Sequence, residues 1–141
     1  MTFIPIFHFL LRLLASPSDD GTLLRTELAS AIVSVTDDPQ EQRQLAKIAR
    51  YESSLRRDVA DCRLLGKAGE RGAWQIRARG AKERDRLCVS FADDARIALE
   101  RIRESTRACR SLPPDERLSV YTRGSCRSVE GRRLSKTRFA P

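Results

Sequence analysis

Apolar residues recur at helical spacing in three blocks of this chain. Leu24, Leu28, Ile32 and Val35 form the first block, and Leu45, Ile48 and Ala49 the second. Phe91, Ala95, Ala98, Leu99, Ile102 and Cys109 form the third. Steps of three and four put each set on one stripe of a helix, so the spacing predicts a mainly α fold. The breaks between blocks are marked by turn and cap residues. In T-D-D-P-Q-E (36–41), Asp38 suits an N-cap, Pro39 the first helical position and Glu41 a capping box. One helix is expected from Thr22 to about Val35, and a second from Asp38 to about Ser54. Ser90 with Asp93 caps a third, which S-L-P-P from Ser111 closes. Pro114 and Asp115 open a short fourth helix holding Leu118 and Tyr121, with Gly124 as its C-terminal glycine. A final short helix is expected over Ser128–Thr137. Residues 55–86 lose the period. They carry Gly66, Gly69, Gly72 and Gly80 around A-W-Q-I, which reads as an irregular Gly-rich segment or a short β-ribbon.

The chain has 141 residues, one domain's worth with a modest core. It divides into an apolar segment, 1–18, and a main domain, 19–141. Residues 3–15 are strongly apolar but too short to span a membrane as a helix. They fit a degenerate export signal, since Arg12 sits inside the run and nothing basic precedes it. They equally fit an amphipathic helix using Phe3, Phe7, Leu10, Leu11 and Leu14. Stable membrane insertion is not expected from either.

Cys62, Cys88, Cys109 and Cys126 are widely spaced, with no C-x-x-C pair, and the only histidine is His8. Zinc sites show close ligand pairs, so no metal and no cofactor is expected. An even count at long spacing fits two disulfides and an exported, periplasmic or extracellular protein better than four buried thiols. A sequential pairing, Cys62–Cys88 and Cys109–Cys126, would staple each irregular link to the helix beside it. Two other connectivities remain open.

The net charge is +8. From Arg101 to Pro141 there are eleven Lys/Arg against four Asp/Glu, a net of +7, so one end carries nearly all the excess. A basic face suits an anionic partner: nucleic acid, an anionic membrane or an anionic cell wall. The chain has no helix-turn-helix pattern, no aromatic platform and no zinc knuckle, so nucleic acid is not the expected partner.

One residue breaks the second stripe. Glu52 is the next member after Leu45, Ile48 and Ala49, where an apolar residue is expected. Partial burial and the nearby helix C-terminus both disfavour its charge, which would raise its pKa. A carboxylic acid still protonated near neutral pH is what a general acid needs to protonate a glycosidic oxygen. On spacing alone, a stripe-edge Glu paired with Arg50, Arg56 or Arg57 competes with that reading.

Three stretches carry a resemblance: E-S-S-L-R-R-D-V, then G-K-A-G-E-R-G-A-W-Q-I, then L-S-V-Y-T-R-G-S-C. In this order they resemble the lysozyme-like superfamily, and more closely its soluble lytic transglycosylase and goose-type lysozyme branch. There a helix ends in Glu-Ser followed by a bulky apolar residue. A Gly-x-x-Gln segment comes next and a helical Ala-Tyr-Asn-x-Gly last. Glu52-Ser53 with Leu55, Gly72-Ala73-Trp74-Gln75 and Val120-Tyr121-Thr122-Arg123-Gly124 fill these places, over about residues 40–135. Thr122 stands where that branch has Asn, and Trp74 where it has Met.

The resemblance implies a lysozyme-like helical domain that cleaves peptidoglycan between N-acetylmuramic acid and N-acetylglucosamine, acting as a monomer. Glu52 would be the acid/base. Ser53 would lie beside it, and Gln75 would hydrogen-bond a sugar or its N-acetyl group. Tyr121 would face Glu52 across the cleft, or pack with Leu118. Trp74 would stack on a sugar or fill the core. Asp58 and Asp61 are the candidates for a second carboxylate, against a plain surface role. Without a second carboxylate, Glu52 alone would give an anhydro product, as in the transglycosylase branch. The rival from another class is a non-catalytic basic module binding cell wall or nucleic acid.

Overall fold

The computed structural model describes residues 7, 10, 11, 14 and 21–126. Most of segment 1–18, including Phe3, and the helix expected over 128–137 lie outside the described residues. The fold is mainly α, as the stripes predict. Helix α1 spans Gly21–Val35, α2 Pro39–Ser53, α3 Arg57–Ala60, α4 Ala81–Arg86 and α5 Phe91–Ala108. A 3₁₀ turn at Pro114–Glu116 precedes α6, Ser119–Arg123. Among the described residues no helix is long and apolar enough to cross a membrane. The chain forms two compact units, residues 1–98 and 99–141, with the division falling within α5.

In the first unit the apolar stripes are the core. Leu24, Leu28, Ile32, Leu45, Ile48 and Ala49 are fully buried, as are Leu10 and Leu14. The Leu14 N–H donates to the Leu10 carbonyl, so these two sit one helical turn apart on a buried side. Asp38 caps α2 as expected, accepting from the N–H groups of Gln40 and Glu41. The expected capping box differs in detail. The Thr36 hydroxyl donates to the Glu41 carboxylate at 2.5 Å and accepts from the Asp38 N–H, so a hydroxyl relays the contact.

Residues 55–86 hold two short helices that carry no sequence stripe. Helix α3 has four residues, less than two turns, and is fixed from outside by the Arg57–Glu27 ion pair at 2.7 Å. Helix α4 buries none of its residues, so it has no apolar face to read. Between them, of the two expected forms, the irregular Gly-rich segment is the one found, with one isolated antiparallel bridge among the described residues, Arg71 to Ile76.

In the second unit Leu99, Ile102 and Cys109 are buried. The expected fourth helix is interrupted. The Ser105 hydroxyl donates to the Arg117 carbonyl at 2.6 Å and accepts from the Tyr121 N–H at 3.2 Å. It thus stands between two groups that an unbroken helix would bond to each other, which opens the ladder there. Gly124 closes α6 in the left-handed region, φ 78°, its N–H on the Val120 carbonyl.

Both disulfides follow the sequential pairing. Cys62–Cys88 lies in the first unit and Cys109–Cys126 in the second.

Candidate functional site

Glu52 sits in the last turn of α2 and is half-buried, between exposed Tyr51 and buried Ser53. The helix ends there through its own side chains. Ser53 Oγ donates to the Ala49 carbonyl at 2.6 Å and accepts the Leu55 N–H at 3.2 Å. Ser54 and Leu55 then take φ 49° and 53°, two successive left-handed residues that reverse the chain. Such a conformation is costly for a bulky residue. Leu55 is 2% exposed, so burial of its side chain offsets that cost. The Glu-Ser-x-apolar string therefore has a local reason: the hydroxyl caps the helix, and the leucine anchors the turn that follows the carboxyl.

The Gly72–Gln75 stretch is the tip of a tight hairpin. Arg71 and Ile76 exchange N–H and carbonyl at 3.0 Å each way, and the Gln75 N–H donates to the Gly72 carbonyl. Trp74 points inward, fully buried, and its Nε1 donates to the Leu45 carbonyl of α2 at 2.9 Å. The hairpin is thus bound to the helix that carries Glu52 in its last turn. The indole offers no open face to a sugar, so Trp74 fills the core. Gln75 is half-buried at φ 47°, with Nε2 donating to the Gly72 carbonyl at 2.9 Å. Ser53, likewise, is 2% exposed and its hydroxyl is engaged in the helix end, so its part is structural.

The remaining sequence candidates divide. Asp58 is pinned by Arg56 at 2.7 Å, and that bond holds its carboxyl below the usual range, which makes it a weaker base. Asp61 pairs with Arg57 at 3.6 Å and with Arg63 at 3.4 Å. Both aspartates are engaged with surface arginines. Tyr121 belongs to the second unit, half-buried, with its N–H held by Ser105. The side chain of Thr122 lies outside the described residues.

Two buried carboxylates, Asp94 and Glu116, were not among the sequence candidates, and Asp94 lies in the first unit with the motif residues. Asp94, in the first turns of α5, is 1% exposed. Its Oδ1 accepts the Cys88 N–H at 2.8 Å, and its Oδ2 accepts no hydrogen bond among the described residues. Burial pushes its pKa up to about 6; the Cys88 N–H opposes this and nearby Asp93 adds to it. The signal was the one used for Glu52. Phe91, Asp94 and Ala98 share a stripe at steps of three and four, with a carboxylate in the middle. Asp94 borders a cavity of about 270 Å³ lined also by Ala60, Asp61, Cys88, Val89, Ser90 and Phe91.

No protein-family model matches this chain, and neither a curated protein nor a solved structure matches it.

Proposed function

We propose that the chain cleaves the glycan strand of peptidoglycan between N-acetylmuramic acid and N-acetylglucosamine, with Glu52 as general acid and base. The observation that carries this is the construction around Glu52. A half-buried carboxyl at a helix C-terminus is followed by two left-handed residues, and a Gly-x-x-Gln hairpin is bound to the same helix through Trp74. Backbone strain of this kind is kept where surrounding structure overdetermines it, and such places cluster at functional sites. Ser54, Leu55 and Gln75 are three such positions, and all lie beside or within the motif residues.

In the proposed reaction the Glu52 carboxyl gives its proton to the glycosidic oxygen as the bond to the muramic acid C1 breaks. The resulting carboxylate then takes the proton of the muramic acid C6 hydroxyl, whose oxygen closes on C1 to give an anhydro-sugar. The acid is regenerated and no water is consumed. This route is favoured over hydrolysis because Asp58 and Asp61, the two candidates for activating water, are both paired with arginines. The two disulfides suit an exported protein meeting a cell wall outside the cytoplasm.

Digestion of purified peptidoglycan by wild type and by Glu52→Gln, with products read by mass spectrometry, tests the reading. Anhydro-muropeptides from the wild type and none from the variant are expected. Products one water heavier would replace the anhydro route by hydrolysis. No cleavage of several walls by folded wild type would overturn the enzyme reading and leave a basic wall-binding module.

A further inference from the structure

The Cys62–Cys88 bond lies against the buried side of Asp94. Cys62 Sγ, Cys88 Sγ and an Asp94 carboxylate oxygen all fall within 4.8 Å of one another. We propose that reduction of this disulfide converts the cluster into a site for one zinc-class divalent ion, held by Cys62 Sγ, Cys88 Sγ and Asp94 Oδ2. The fourth position borders the cavity next to Cys88 and Asp94 and takes a water.

Four observations support the assignment. Asp94 is 1% exposed, and its Oδ2 accepts no hydrogen bond among the described residues, so a buried acceptor awaits a ligand. Its Oδ1 is already oriented by the Cys88 N–H, the kind of outer contact that fixes a ligating carboxylate. Gly72 leaves room: a Cβ there would meet Asp94 Oδ2 at 2.8 Å and Cys62 Sγ at 3.7 Å. Both cysteines also hold left-handed backbones, φ 61° and 69°. The Cys62 N–H is held by the Val59 carbonyl and the Cys88 N–H by Asp94, so hydrogen bonds as well as the disulfide place each residue.

The steps balance. A dithiol gives two electrons and two protons to the S–S bond, which breaks into two thiols while the dithiol closes to its own disulfide. The ion then displaces both thiol protons, and any proton on Asp94, to solvent. Two thiolates at a tetrahedral zinc sit about 3.8 Å apart, so each sulfur moves by about 1 Å from its disulfide position. The disulfide and the ion exclude each other. In a reducing compartment the ion would hold the segment after α3 to the start of α5, as the disulfide does after oxidation. Nothing in this depends on chemistry at Glu52.

Full-length chain, reduced with a phosphine and desalted, is titrated with zinc by calorimetry and with cobalt(II) by absorption, with circular dichroism recorded alongside. One ion per reduced chain, with thiolate-to-cobalt charge transfer, is expected; the oxidised chain should bind none. Cys109→Ser/Cys126→Ser should keep the site, and Cys62→Ser/Cys88→Ser should lose it. Asp94→Asn should weaken binding about tenfold or more. The proposal is overturned if the reduced chain binds no zinc, whether helical or not. It is also overturned if the oxidised chain binds equally, or if Asp94→Asn binds like wild type.

Discussion

Asp94 and Ser105 are single buried side chains on which the stability of each unit depends in a testable way. The carboxyl of Asp94 has an ordinary pKa of 3.8 and one of about 6 in the fold. Between those values the folded chain keeps a proton that the unfolded chain has released. The contribution of this carboxyl to folding stability is therefore full below about pH 4 and is lost as pH rises through 6, by up to about 3 kcal/mol. Chemical denaturation of the oxidised chain at pH 4, 5, 6 and 7 should show this decline. Asp94→Asn, which keeps an acceptor for the Cys88 N–H, should flatten it. Ser105→Ala removes one hydroxyl and strips both the Arg117 carbonyl and the Tyr121 N–H of a partner. A loss of about 1–3 kcal/mol in urea denaturation is expected. Glu52 was legible in the sequence because it interrupts an apolar stripe. Asp94 interrupts one too, but beside Ser90 and Asp93 it reads as part of the helix cap. Ser105 gives no local sign at all, because its partners lie 12 and 16 residues away.

Elements became readable in proportion to the local chemistry that builds them. Helix α2 is marked at its start by Asp38 and Pro39 and along its length by its stripe, so its bounds are legible to within a residue. Helices α3 and α4 are held by an outside ion pair or bury nothing, and neither leaves a pattern. The hairpin at 71–76 is intermediate. Its glycines announce a turn, but the bond that fixes it, Trp74 to Leu45, spans 29 residues. Gly72 bears most on this element. Its φ is 76°, and the space for a Cβ is taken by the Asp94 carboxylate. Gly72→Ala should lose about 1–3 kcal/mol by strain and displacement of that oxygen. If the hairpin positions the site as proposed, the same variant should lose cleavage activity even where it remains folded by circular dichroism.

For the whole molecule, charge and crosslinks set the behaviour. On the proposed function, a net charge of +8 would draw the chain to an anionic wall. Screening shortens the reach of that attraction from about 10 Å at 0.1 M salt to about 3 Å at 1 M. Retention on purified cell walls should therefore fall steeply with sodium chloride, for wild type and Glu52→Gln alike. Each disulfide should add about 3 kcal/mol by restricting the unfolded chain, read as separate losses in the two double-serine variants. The even cysteine count at long spacing fits two bridges, but the sequential pairing seen is one of three connectivities that the sequence leaves open. The two closed loops span 26 and 17 residues and do not overlap along the chain. Under mechanical load they are stored length. Stretched from its ends with both bonds intact, the chain stays short, and breaking them releases about 85 Å and about 50 Å of extension. Because the loops are nested in no common ring, each step keeps its size whichever bond is cut first. Crossed or nested bridges would instead give steps that change with the order of cutting.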